Sequence, residues 1–244
     1  MYNYTKILNV NSIYKKYNDL QVLKKVTFSV KPRELVIILG PNGAGKSTLF
    51  SIISGLIIPD KGDCIIAGSN IEEEPVKALK SLGIVFQQPT IDMELTIIEN
   101  LMFHASLQGL KSKFIKDVIE NELINFDLYK KLNNKVKNLS GGERRKVELI
   151  RSILHKPKML LMDEPTVGLD PSSRKELLTK ITKLKEKEKL SVLWATHLVD
   201  EAEKADKIII LNKGQVIEMG KPSALKKRTN SKSLNKAFFK IIGK

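Results

Sequence analysis

The spacing of apolar residues along the chain changes character twice. Near the start, residues 7–13 and 22–30 read as short β-strands. LVIILG at 35–40 is a near-continuous apolar run, of the kind a buried parallel strand shows. A glycine-rich turn follows, and TLFSIISGLI at 48–57 reads as a helix. Residues 60–68 read as a hairpin strand pair, and GIVF at 83–86 as one more short strand. From about 96 to 154 the apolar positions fall at helical spacing: Leu101, Ala105 and Leu107, then Ile115, Ile119 and Leu123, then Val147, Ile150 and Leu154. That predicts an all-helical block set between strand-rich halves. Strands return at 159–162 and 191–195. Between them Leu177, Ile181 and Leu184 mark an amphipathic helix, with Pro171 in its first turn. Residues 207–211 and 215–219, joined by a turn at 212–214, read as a terminal hairpin. Strands alternating with helices imply an α/β core with a parallel sheet.

Composition narrows this picture. The 244 residues suffice for one large domain, or one domain with an inserted subdomain. Cys64 is the single cysteine, so no internal disulfide forms and a reducing compartment fits; it reads as a packed strand residue. The first ten residues lack the apolar core of a signal peptide. The longest apolar stretches, 52–58 and 159–162, fall far short of the about 20 residues that span a bilayer. A transport role would need a separate membrane subunit. No internal repeat is found.

The net charge of +15 invites a nucleic-acid reading, but its distribution weakens that. From Lys221 to Lys244 there are eight Lys or Arg and no acid, about half of the excess. The chain is rich in Lys, Asn and Ile throughout, and the compositional reading is preferred to nucleic-acid binding. In the tail Leu234, Phe238, Ile241 and Ile242 share one helical face, with Lys232, Lys236 and Lys240 nearly opposite. Such a face suits an anionic membrane or an acidic groove. A disordered or core-docked end is the preferred expectation. The run 183–189 reads as a solvated helix end.

Three motifs carry chemistry. GPNGAGKST (Gly40, Pro41, Asn42, Gly43, Ala44, Gly45, Lys46, Ser47, Thr48) fits a Walker A loop, after a strand and before a helix. Small residues let backbone N–H groups wrap phosphates, and the helix N-terminus adds positive charge. Lys46 would place its ammonium between the β- and γ-phosphates, and the Ser47 hydroxyl would bind Mg2+. MLLMDE at 159–164 is an apolar strand ending in two acids: Asp163 would hold Mg2+, mostly through its water shell, and Glu164 would polarise the attacking water. Adjacent strand residues point to opposite faces, so the two acids can do different work, although the strand end can bend. LSGGERRK at 139–146 is a second anion-binding device. Ser140 and Glu143 stand at capping-box spacing, and Gly141 and Gly142 expose N–H groups at a helix start. Alone it would be an ordinary capped helix.

Together these strings resemble the nucleotide-binding domain of ABC transporters, over roughly residues 7–222. The resemblance implies a P-loop NTPase core with a RecA-like parallel sheet, an N-terminal antiparallel β subdomain and an inserted α-helical subdomain. The expected divisions are an ATPase domain at 5–222, with the helical subdomain at about 90–155, and a basic tail at 223–244. In that family two cassettes dimerise head to tail. The resemblance therefore implies that Ser140 and Gly142 contact the γ-phosphate on the partner's Lys46. Tyr17, before the second strand, matches the aromatic that stacks on adenine, with Tyr14 as a rival. Gln87 matches the glutamine that reaches Mg2+ and the water; Gln88 adjoins it. Asp170 in VGLD at 167–170 matches the residue that contacts the opposite site, and it also fits a helix N-cap. His197 matches the switch histidine that bonds the γ-phosphate and orients Glu164. His104 and His155 match nothing and are read as structural or solvated, and Trp194 as core.

The strings at 86–107 and 143–170 resemble exporter ATPases whose membrane partners are of the ABC-2 type. The expected function is ATP hydrolysis driving export, by a cytoplasmic protein peripheral on the inner face of the membrane. A second nucleotide-binding subunit, an integral membrane permease, ATP and Mg2+ are implied, and no nucleic acid. The permease's short cytoplasmic helices would dock near Gln87 and the helical block. An importer ATPase, or an ABC-type ATPase acting on nucleic acid or ribosomes, is the alternative; the latter generally carry two cassettes or a long coiled-coil insertion. A GTPase is suggested only by NKG at 212–214, which lacks the following acid.

Overall fold

The computed structural model describes residues 5–110 and 112–243 and sorts the strands into two sheets. β1 (Leu8–Tyr17) and β2 (Leu20–Val30) form a hairpin, and β3 (Leu35–Leu39) leaves for the second sheet. β4 (Lys61–Ile66) and β5 (Ser69–Asn70) return to the first, which is antiparallel in the order β2-β1-β4-β5. The second sheet adds β6 (Leu82–Val85), β7 (Met159–Asp163), β8 (Ser191–Thr196), β9 (Lys207–Asn212) and β10 (Gln215–Gly220). Its order is β10-β9-β3-β8-β7-β6, parallel except where β9 and β10 pair.

The central strands read as unbroken apolar runs because helices or sheet cover both faces. Their residues still alternate. Leu35, Ile37 and Leu39 of β3 and Val192 and Trp194 of β8 enter one core. Val36, Ile38, Leu193 and Ala195 enter the other, with the antiparallel sheet. α1 (Lys46–Ile53) follows β3 and packs into that second core, and the short α2 (Pro75–Leu79) precedes β6. Between β6 and β7 come α3 (Ile97–Leu107), α4 (Ser112–Asn125) and α5 (Gly141–Ile153), whose apolar faces extend the first core. α3 and α5 each open on a complete capping box, from Thr96 with Glu99 and Ser140 with Glu143. α6 (Pro171–Glu188) joins β7 to β8, and α7 (Pro222–Arg228) and α8 (Leu234–Ile241) close the described chain.

The structure departs from expectation in several places. Residues 60–68 hold one strand rather than two: β4 pairs with β1, and its hairpin partner is β5, beyond the turn at Ala67 and Gly68. The helix expected at 48–57 is over by Ile53, where Gly55 turns at φ +72. Leu107 lies at the end of α3 with 69% of its surface exposed, off the apolar face shared by Leu101 and Ala105. Cys64 and Trp194 are buried, as read. The tail docks on the core: Leu234, Ala237 and Phe238 are buried, with Ile241 and Ile242 packed at the margin. Among the described residues no helix is long and apolar enough to cross a membrane.

Candidate active site

Three parallel strands deliver the site at their carboxyl ends, where open α/β sheets bind ligands. β3 leads into the loop at 40–48, β7 ends at Asp163, and β8 ends just before His197. The loop is fastened at its rim. Gly40 donates its N–H to Thr196 O (3.3 Å), Ala44 to Pro41 O (3.2 Å), and Gly214 to Ala44 O (3.0 Å). Gly45 caps α1 at φ +100 and no side chain caps that helix end, so its first N–H groups are available to an anion. A Cβ at Gly45 would lie 2.8 Å from the Leu23 side chain, so glycine is required twice over.

Lys46 is almost fully buried. Its Nζ donates to Gly40 O (2.9 Å) and Pro41 O (3.2 Å) and lies 3.2 Å from Glu164 Oε1. Glu164 Oε2 lies 3.1 Å from His197 Nδ1. Lysine, glutamate and histidine thus form one connected row. The two acids do separate, but by a bend rather than by strand alternation. β7 stops at Asp163 and Glu164 takes φ +44, held by its N–H to Ala195 O (2.9 Å) and by Val167 N–H to its carbonyl (3.1 Å). A left-handed glutamate is strained by about 1–3 kcal/mol and persists only where its surroundings enforce it.

Asp163 suits a cation. The Ser47 hydroxyl hydrogen-bonds its carboxylate, while the buried Oδ1 has no partner. Burial raises its pKa and the neighbouring Glu164 adds to this, against the Ser47 hydrogen bond and the Lys46 charge. Among the described residues no three His, Cys, Asp or Glu side chains form a self-sufficient metal cluster. Ser47 and Asp163 offer one hydroxyl and one carboxylate, the kind of oxygen ligands a Mg2+ bound together with phosphate would need from the protein.

Other expected residues stand apart from this row. Gln87 follows β6 and is exposed. Tyr17 is exposed at the end of β1, with the Lys15 ammonium 5.7 Å from its ring centre. Ser140 bonds within its own turn, accepting from Glu143 N–H (3.2 Å) and donating its N–H to Glu143 Oε2 (3.0 Å). Gly141 and Gly142 lie against Leu169 and Ser173, so the signature turn neighbours the start of α6 rather than the Walker loop. Asp170 caps α6, accepting from Ser172 N–H (2.9 Å) and Ser173 N–H (3.0 Å). His155 Nε2 lies 2.8 Å from Leu82 O and is structural.

Sequence reasoning missed two polar ties. Thr166 donates to the buried Glu201, fastening the turn after Glu164 to the 3-10 turn after His197. Arg145, Glu148 and Arg151 of α5 grip the segment that follows β6. The signal for the second was a glutamate inside the otherwise apolar run from Val147 to Ile150.

Comparison with known proteins places this geometry. The profile of the family described as ABC transporter matches residues 23–167. The linearmycin resistance ATP-binding protein LnrL of Bacillus subtilis is 37% identical over 215 residues, covering 88% of this chain and 69% of its own. The Nod factor export ATP-binding protein I of Rhizobium etli is 34% identical, covering 89% of this chain and 69% of its own. The spermidine/putrescine import ATP-binding protein PotA of Clostridium novyi is 30% identical, covering 88% and 62%. A solved ATP-binding subunit of an ABC transporter superposes with a TM-score of 0.86 at 29% identity, covering 96% of this chain and 99% of that one. A dimeric ATP-binding cassette bound to ADP and Pi superposes at 0.78 with 28% identity, covering 88% and 98%.

Proposed function

The chain belongs to the ABC transporter family as an ATP-hydrolysing cassette, and on that premise we propose that two copies clamp two ATP molecules head to tail and drive export through a separate membrane subunit. One observation carries the reading. Lys46, Glu164 and His197 are connected at 3.1–3.2 Å, while the second anion-binding turn, Ser140 to Gly142, lies against Leu169 and Ser173 instead. A second copy would supply it.

The proposed steps follow from the atoms present. An incoming γ-phosphate draws the Lys46 ammonium from the loop carbonyls and from Glu164. The freed carboxylate then accepts a proton from the attacking water. His197, whose Nδ1 lies 3.1 Å from Glu164 Oε2, is assigned to orienting that carboxylate and to the γ-phosphate. Ser47 and Asp163 would hold Mg2+, which would supply positive charge to the phosphates. The partner's signature turn closes the cage by charge-assisted hydrogen bonds, and loss of phosphate releases it. Tyr17 is assigned to adenine, Gln87 to the water and the metal, and Asp170 to the opposite site. The helical subdomain at about 90–155 is assigned to the permease, and 223–244 to a docked tail, with the protein peripheral on the cytoplasmic face of the membrane.

Export is favoured by the exporter relatives and by the strings at 86–107 and 143–170; the similarity to an import ATPase keeps import as the second reading. Copurifying the membrane partner and measuring ATP-driven flux in vesicles tests this. Substrate leaving the cytoplasmic side supports export, and uptake would contradict it.

A further inference from the structure

α5 starts at the signature turn and passes beside the segment that carries Gln87. Three of its side chains, one turn apart on the same side of the helix, hold that segment by its backbone. Arg145 donates from Nη1 to Phe86 O (2.7 Å) and from Nη2 to Gln87 O (2.9 Å). Glu148 Oε1 accepts the Thr90 N–H (2.8 Å), and its Oε2 accepts from Arg145 Nη1 (2.7 Å). Arg151 donates to Thr90 O (2.7 Å) and to Thr90 Oγ1 (2.5 Å). Arg145 and Glu148 are 5% and 1% exposed. Burial pushes the Glu148 carboxyl up and both guanidinium groups down, opposed by their mutual attraction.

A buried ion pair is a poor way to gain stability, because desolvation offsets most of the attraction and apolar residues of the same volume serve as well. What this one gains is position. With Arg151, its bonds fall on the carbonyls of Phe86 and Gln87 and on both backbone groups of Thr90, and the Thr90 hydroxyl is the one loop side chain they use. They fix the loop to the helix whose N-terminus is the Ser140 to Gly142 turn.

We propose that Arg145, Glu148 and Arg151 are positioning residues that join the Gln87 loop and the signature turn into one rigid body, so that events at a chain's own ATP site move the turn it offers to its partner's site. This rests on the two-copy reading above. Gln87 would serve the nucleotide on its own chain, and Ser140 and Gly142 the nucleotide on the other. A shift of Gln87 when phosphate leaves would carry the signature turn away from the second ATP, so the two sites cannot act independently.

The test is a double-mutant cycle on the full chain, reading ATP affinity, KM and kcat. Glu148→Gln keeps the shape and an acceptor for the Thr90 N–H but leaves Arg145 and Arg151 without their counter-charge. Expected is nucleotide affinity within about twofold of wild type, because the phosphate loop is untouched, with kcat lowered about tenfold or more. In a Gln87→Ala background the same change should cost less than about twofold, since both act through one loop. A merely structural role would give the full loss in both backgrounds, and that result, or an unchanged kcat, overturns the proposal. If Glu148→Gln does not fold, Arg145→Lys, which keeps the charge and a donor, is read in the same cycle. A wild-type chain that neither hydrolyses ATP nor pairs in its presence contradicts the two-copy reading instead.

Discussion

Glu164 stands between a lysine 3.2 Å away and a histidine 3.1 Å away, on a left-handed backbone. Replacing its carboxylate by an amide keeps the volume and removes the proposed base. Glu164→Gln should bind ATP as the wild type does and lose about two to four orders of magnitude in kcat. His197→Ala should also lose most turnover, and retained turnover in either would refute the roles given. His104 shows a different physics. Burial, with Arg151 and His155 nearby, pushes its pKa down from 6.5 to about 4. The folded state refuses a proton that the unfolded state accepts, so this part of the stability is complete above pH 6.5 and lost as pH falls toward 4. Melting at pH 7 and pH 5 should show the drop, and His104→Gln should lessen it. Burial also pushes the Cys64 thiol up to about 12. A thiol reagent at pH 8 should leave Cys64 unmodified until denaturant is added; rapid labelling of the folded chain would contradict its burial. At this scale the Walker residues were legible because their types are dictated by phosphate. The bend at Glu164 was foreseen only as a possibility, since nothing in DEP announces a positive φ.

Whole elements were more legible where a single period runs unbroken. β3, β7 and β8 are short apolar runs bounded by glycine, proline or charge, and the structure places all three at the centre of the sheet. α5 and α6 announce their starts with a capping box and with Asp170 before Pro171. Residues 60–68 were misread because β4 fills most of them and pairs chiefly with β1, about fifty residues earlier, which local pattern cannot reveal, while its hairpin partner β5 begins only at Ser69. The α5 clamp was missed because polar residues on a helix look solvated until the loop they hold is in place. α8 had two outlets for its apolar face, membrane or core, and periodicity cannot choose between them. The structure docks it, with Phe238 5% exposed. Phe238→Ala should therefore cost the whole chain about 3–5 kcal/mol in denaturant unfolding. Near-zero loss would mean that the helix contributes nothing to the core.

At the scale of the molecule, the two sheets and the helical layer bring one anion-binding turn to the carboxyl ends of the strands and set the other against Leu169 and Ser173 at the start of α6. The incompleteness of a single chain is the central claim, and pairing of copies is its direct consequence. Light scattering of Glu164→Gln with saturating ATP measures it. The account predicts a mass of twice 27.5 kDa with ATP and the single value without it, and a return to the single value when Gly142→Asp is added although ATP still binds. A Glu164→Gln chain that binds ATP yet remains at the single mass would contradict it.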